Sequence, residues 1–170
     1  LMKTAPAPRT LRAPPGRSAI LAGSCSEATR GQVQRAIAAG IPTLKVDPKG
    51  IAAGTYDPTT VARWARDSGE HGPVLIYSSA DPSDVAEAQR TLGRDKAGAA
   101  VEHLLAEVAQ RLVADGVTRL LVAGGETSGA VVQGLGVETL EIGPEIDPGV
   151  PWTRAVGRDL VLALKSGNFG

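Results

Sequence analysis

The sequence has little of what several common protein roles require. It holds one cysteine, Cys25, so no intrachain disulfide can form. Its two histidines, His71 and His103, stand apart from each other and from Cys25. That argues against a structural zinc site, and both are read as solvated helix residues. Eighteen basic residues balance eighteen acidic ones. The chain therefore lacks the positive footprint of a protein that lives on phosphate backbones, and nucleic acid is excluded as the expected partner. Neither an apolar run of membrane-spanning length nor a signal peptide is visible, so the expectation is a bacterial-type cytoplasmic protein with no membrane partner. Aromatic residues are scarce too: only Trp64, Trp152, Tyr56, Tyr77 and Phe169.

What remains is a chain of 170 residues, 42% hydrophobic, with 21 glycines and 12 prolines. Its core must be built from Ala, Val and Leu, as in many α/β interiors, and its length suits one domain. Residues 1 to 17 are rich in Pro and basic residues and lack an apolar period, which reads as a linker or disordered edge, with the folded domain at 18 to 170. Ser18 to Ser24 reads as a strand and tight turn, with Ser26 at the N-cap position of a helix that Gly40 closes. Thr43 to Asp47 is a second strand, before a Gly/Pro-punctuated loop. A helix over Asp57 to Glu70, a strand over Pro73 to Ser79 and a loop or short helix at 81 to 92 follow. Asp95 to Asp115 carries Val101, Leu104, Leu105, Val108 and Leu112 at helical spacing. Arg119 to Ala123 is a buried strand, Ala130 to Leu135 a helix and Thr139 to Ile142 a strand.

Strands alternating with helices predict a three-layer, mainly parallel α/β sheet with helices on both faces, Rossmann-like, whose ligands gather at the strand C-terminal ends. The alternation breaks at the tail. Val150 to Ala155 and Leu160 to Lys165 are separated only by a short loop and read as an antiparallel hairpin at the sheet edge.

The chemistry concentrates at three strand ends. In LLVAGGETSGAVV, Leu120 to Val132, a buried strand runs into Gly124 and Gly125, then Glu126, Thr127, Ser128 and Gly129. Glycines let backbone approach a ligand closely, and free N–H groups at a helix start favour an anion. The alternative is a plain strand-to-helix turn capped by Thr127 or Ser128. Glu126 beside a phosphate would need a metal, a ribose hydroxyl or the helix N-terminus as its reason. Ala22 to Ser26 is a similar turn, in which Ser24 and Ser26 either face the first across a crevice or cap their helix. Cys25 reads as buried filler. In LKSGNFG, Leu164 to Gly170, Lys165 either meets a phosphate or ends a strand, and Gly167 is placed to admit a base or ribose, with Ser166 and Asn168 beside it. Glu145 and Asp147 read as turn residues rather than metal ligands. Neither a Gly-Lys-Ser/Thr loop nor a GxGxxG fingerprint occurs.

Taken together and in order, GSCSEATRGQV (23 to 33), VAGGETSGAVVQGLGV (122 to 137), EIDPGVPW (145 to 152) and LALKSGNFG (162 to 170) resemble the four-carbon acid sugar kinase family, in its C-terminal nucleotide-binding domain. The resemblance covers about residues 18 to 170, with GGETSG and KSGNFG its most specific parts. It implies ATP-dependent phosphorylation of a hydroxyl on a sugar acid of the 3-oxo-tetronate, threonate or erythronate type, with Mg²⁺ bound through the phosphates. Carried over by position, Ser24, Gly124, Gly125, Glu126, Thr127 and Gly167 would contact ATP. Ser26, Ser128, Gly129, Lys165, Ser166 and Asn168 flank them.

The family's N-terminal substrate-binding domain, which would present the sugar acid, is not part of this sequence. The fragment is therefore expected to bind nucleotide without efficient transfer, and the catalytic residue is unassigned. A homodimer is compatible with the sequence. The competing reading is a non-catalytic α/β module that senses a phosphorylated metabolite.

Overall fold

The computed structural model describes residues 11–12, 14–78, 86–87, 90–91 and 93–169. In chain order its elements are β1 (Arg17–Ala22), α1 (Glu27–Ala38), β2 (Thr43–Lys45), α2 (Pro48–Ala52), α3 (Pro58–Ser68), β3 (Val74–Tyr77), α4 (Arg94–Ala114), β4 (Val117–Ala123), α5 (Gly125–Gly134), β5 (Leu140–Asp147), β6 (Val150–Ala155) and β7 (Val161–Lys165).

Local chemistry starts the first three helices. The Ser26 hydroxyl accepts from the Thr29 N–H at 3.2 Å to open α1. Asp47 accepts from Gly50 N–H at 2.8 Å to open α2, and Asp57 accepts from Thr60 N–H at 2.9 Å to open α3. Both aspartates are followed by a proline in the first turn, where a missing N–H costs nothing. Helix α2 occupies the stretch expected as a loop, and Asp47-Pro48 was its signal. The expected loop or short helix at 81 to 92 lies largely outside the described residues.

The seven strands form one sheet in the order β2-β3-β1-β4-β7-β6-β5. The first five of these are parallel, and β6 runs antiparallel to both β7 and β5. The antiparallel pair expected at the tail is present, but β7 lies inside the sheet against β4, and β5 with β6 makes the edge. The reason is burial: Val161, Leu162 and Ala163 are at most 2% exposed, the continuous apolar run of a strand covered on both faces.

Helices cover both faces unequally. Side chains of α3, α4 and α5 pack with Leu21, Ile76, Leu120, Val122 and Leu162 in the larger core, and Ile51 of α2 rests on its margin. All five residues that fixed the period of α4 are buried, each Leu contributing roughly 1.5–3 kcal/mol relative to exposure. On the other face α1 covers a smaller cluster of Ala22, Val33, Leu75 and Ala123.

The register fixes where the site must lie. Lys45 pairs with Tyr77, Tyr77 with Ala22, Ala22 with Ala123, and Ala123 with Lys165. Five parallel strands thus end level, and their following turns share one edge.

Candidate functional site

Hydrogen bonds continue past the strand ends and tie these turns together. Val46 N–H donates to Tyr77 O at 2.9 Å, and Ser78 N–H to Ala22 O at 2.8 Å. Gly23 and Ser24 N–H both donate to Ala123 O, and Gly124 N–H donates to Lys165 O at 2.9 Å. The loops after β1, β4 and β7 are therefore locked side by side, as expected of the GSCS, GGET and KSG segments.

The β4 turn is a single residue. Gly124 has φ +131 and is the N-cap of α5, which begins at Gly125, five residues earlier than expected. No side chain caps it. A Cβ on Gly124 would lie 2.9 Å from Thr127 Oγ1 and 3.2 Å from Ser24 N, so only glycine lets the two turns approach this closely. The first intrahelical bond is Ser128 N–H to Gly124 O at 2.8 Å, which leaves the N–H groups of Gly125, Glu126 and Thr127 as the helix's open donors. By contrast α1, α2 and α3 are all capped by side chains. The plain-turn reading, with Thr127 or Ser128 as cap, does not hold, because the N-cap is Gly124 and both hydroxyl residues lie inside the helix without a capping hydrogen bond.

These donors open into a cleft of about 920 Å³ along the strand ends. Gly23, Ser24, Cys25, Gly124, Gly125, Glu126 and Thr127 line one side, Lys45, Asp47, Lys49, Tyr56 and Ser78 another, and Asp95, Gly98, Ala99 and Glu102 of α4 a third. Thr127 is 3% exposed, yet its hydroxyl has no hydrogen-bond partner among the described residues. Tyr56 OH donates to Asp47 at 3.0 Å, and burial, with that bond, pushes its pKa up. Burial, and next the nearby Glu126 carboxylate, push the Glu102 carboxyl above the usual range.

The remaining expected residues sit around the cleft rather than in its lining. Gly167 closes against the β1 turn, and a Cβ there would run into the Ser24 hydroxyl and come within 3.0 Å of Ser26 Oγ. Its carbonyl accepts from the Ser26 hydroxyl and from Thr29 Oγ1 at 3.0 Å. Ser26 thus caps α1 and clasps the β7 turn at once.

Lys165 is buried at 6% exposure, and its ammonium lies 3.3 Å from Thr29 Oγ1, 3.3 Å from Ser166 O and 3.5 Å from Gly167 O. It faces the α1 side, in a groove of about 230 Å³ with Ile20, Val33, Leu75 and Leu121. The pleat puts it there: in register it shares a row with Ala22 and Ala123, both in the α1-side cluster. A direct reach into the cleft is therefore replaced by a hold on the turn carbonyls.

Ser128 points inward and is 9% exposed, with an unsatisfied hydroxyl, and Gly129 is exposed in the helix's next turn. Neither lines the cleft. Ser166 and Asn168 are exposed on the tail. Glu145 and Asp147, expected in a turn, lie instead at the end of β5 and pair with Pro151 and Val150 of β6, and Glu145 accepts from Gly149 N–H at 3.2 Å across the turn between the strands. Among the described residues no group of three or more metal-ligating side chains occurs.

Sequence reasoning missed the α4 flank. Asp95, Gly98, Ala99 and Glu102 follow helical spacing, so the stripe beside the apolar one was its available signal.

A mainly parallel sheet whose level strand ends carry an uncapped, glycine-flanked helix N-terminus defines an α/β domain with a candidate anion site at that edge. The chain belongs to a family described as the nucleotide-binding C-terminal domain, whose pattern matches residues 19–170. It is 49% identical over 156 residues to a 3-oxo-tetronate kinase of Pseudomonas savastanoi pv. phaseolicola, covering 91% of this chain and 36% of that protein. It is 50% identical over 156 residues to a 3-oxo-tetronate kinase of Cupriavidus necator, with the same coverage. The chain thus spans about a third of the length of the curated relatives it matches. A crystal structure of a Haemophilus influenzae protein assigned to DUF1537 superposes with a TM-score of 0.87 at 36% identity, over 94% of this chain and 39% of that one. Among the described residues no helix is long and apolar enough to cross a membrane.

Proposed function

We propose that this chain is the ATP-binding domain of a cytoplasmic kinase that phosphorylates a hydroxyl of a four-carbon sugar acid, of the 3-oxo-tetronate, threonate or erythronate type. The observation that carries the reading is the N-terminus of α5, which has no side-chain cap, is preceded by Gly124 and stands at the floor of the cleft. Three N–H donors and the positive end of the helix dipole favour a phosphate there. Ser24 and Thr127 add hydroxyls to the floor, and Gly167 narrows it from the β7 side. The relatives' activity supports the choice of kinase and of acceptor class.

The charge of the cleft decides the form in which a nucleotide enters. Among the described residues Asp47, Glu87, Asp95, Glu102 and Glu126 line it beside Lys45 and Lys49, and Lys49 is paired to Glu87 at 2.5 Å. A bare polyphosphate would be repelled, whereas its Mg²⁺ complex would not. The carboxylates fit that cation. A bound Mg²⁺ would supply charge neutralisation to the phosphates these residues hold. This chain's residues hold and orient the phosphates, while the acceptor and its base belong to the domain that precedes this one in the relatives. The isolated chain is then inactive in transfer, because positioning both reactants supplies most of phosphoryl-transfer catalysis.

Calorimetric titration with ATP, ADP and a sugar phosphate, each with and without Mg²⁺, tests this. The reading requires ATP or ADP binding that Mg²⁺ strengthens. Binding of the sugar phosphate alone would replace it with the metabolite-sensing module.

A further inference from the structure

The wall of the cleft facing the glycine turns belongs to α4, whose Glu102 lies on a helix separate from the segments that define the family resemblance. Its side chain leans back along the helix, with Oε1 3.7 Å from where a Cβ on Gly98 would stand. Glu126, in the first turn of α5, lies within electrostatic reach of Glu102. Among the described residues neither carboxylate has an ion-pair or hydrogen-bond partner. Two unpaired carboxylates that repel one another on the wall of a partly enclosed cleft leave a place for positive charge. Thr127 supplies an independent sign of a ligand: it is 3% exposed, lines the same cleft, and its hydroxyl is unpartnered among the described residues. All the groups are hard oxygen donors, which suit Mg²⁺ better than a softer metal.

We propose that Glu102 and Glu126, with the Thr127 hydroxyl, form a seat for the divalent cation that a nucleotide polyphosphate brings into the cleft, so that Glu102 sets the metal dependence of nucleotide binding. The proposal rests on the nucleotide reading above. Two carboxylates and a hydroxyl leave coordination positions for phosphate oxygens and water, in keeping with the preference of Mg²⁺ for shared sites over closed protein cages.

The test compares the unaltered chain with Glu102→Gln, Glu102→Asp and the distant control Glu70→Gln. ADP is titrated calorimetrically with and without Mg²⁺, and Mn²⁺ binding to each ADP complex is read by electron paramagnetic resonance. Circular dichroism confirms that each variant is folded. In Glu102→Gln, metal-free ADP should bind at least as tightly as in the unaltered chain. Its gain in affinity from Mg²⁺ should fall by about tenfold or more, with Mn²⁺ held correspondingly more weakly. Glu102→Asp should recover part of the gain, and Glu70→Gln should change nothing. An undiminished metal gain in Glu102→Gln overturns the proposal. So does an equal weakening of ADP with and without metal, which would make Glu102 an acceptor for the nucleotide's own hydroxyl or amino groups. Absence of ADP binding by the unaltered chain in either condition removes the nucleotide reading and this proposal with it, an outcome distinct from the other two.

Discussion

The ammonium of Lys165 lies 3.3 Å from the Thr29 hydroxyl, joining the end of β7 to the first turn of α1. Thr29 in turn donates to Gly167 O at 3.0 Å, so one buried lysine and one threonine fix the approach of two turns that face the cleft. The arrangement holds position at the expense of a desolvated charge, since burial holds the pKa of Lys165 below the usual lysine range. Keeping a charge out of water without a carboxylate partner costs free energy, so an apolar side chain of similar length in its place need not destabilise the fold. We expect Lys165→Met to unfold in urea no earlier than the unaltered chain, and to bind ADP several-fold more weakly because the Gly167 turn has lost a tether.

The same lysine gives the stability a pH dependence of known sign. Unfolded, it keeps its proton up to the ordinary lysine value, whereas the folded chain releases it sooner. Between the lowered pKa and the ordinary one the unfolded state therefore holds more protons, and stability rises with pH across that window. Urea midpoints measured through the alkaline range should show this rise in the unaltered chain relative to Lys165→Met.

Adjacent glycines should behave differently. A Cβ on Gly125 meets nothing within 4 Å, so Gly125→Val leaves the fold intact while placing two methyl groups over the α5 donors. ADP affinity should fall by at least about tenfold with an unchanged melting temperature. Gly124, at φ +131 and against Thr127 and Ser24, tolerates no side chain. Gly124→Ala should lower stability by about 1–3 kcal/mol through backbone strain alone, visible as an earlier urea midpoint.

Thr127 and Ser128 are neighbouring hydroxyls with separate roles. Ser128 Oγ is buried without a partner, so Ser128→Ala should hold or raise stability by up to about 1 kcal/mol and leave ADP binding alone. Thr127→Val removes a hydroxyl with no described partner from the cleft floor. It should keep stability and lose about 1.5–3 kcal/mol of ADP binding, the usual worth of a hydrogen bond to a charged group. Paired urea and calorimetric titrations would separate the two.

Much of this was legible in the sequence, for physical reasons that differ by element. The strand-turn-helix unit at 18–40 and the strand over 119–123 announce themselves through apolar runs ending in glycine and hydroxyl residues, and α4 through its period, whereas the start of α5 at Gly125 rather than Ala130 is masked by its two glycines. Parallel order implies that GSCS and GGET share one edge, and the family resemblance adds KSG to them. The interior place of β7 was hidden, because a strand's neighbours depend on long-range pairing, and a short loop before it favours the hairpin reading. The direction of Lys165 was hidden too, since one residue of register moves a side chain to the other face. Glu102 was hidden because a polar stripe beside an apolar one is also the pattern of an ordinary solvated helix face.

The most direct test of the account is an amide NMR titration of the chain with Mg²⁺·ADP. Binding at the α5 N-terminus requires the largest shifts at the N–H groups of Gly125, Glu126 and Thr127, with smaller ones at Ser24 and Gly167. Shifts centred instead on Ile20, Val33 and Leu121, in the groove on the α1 side, or no shifts at all, would contradict it.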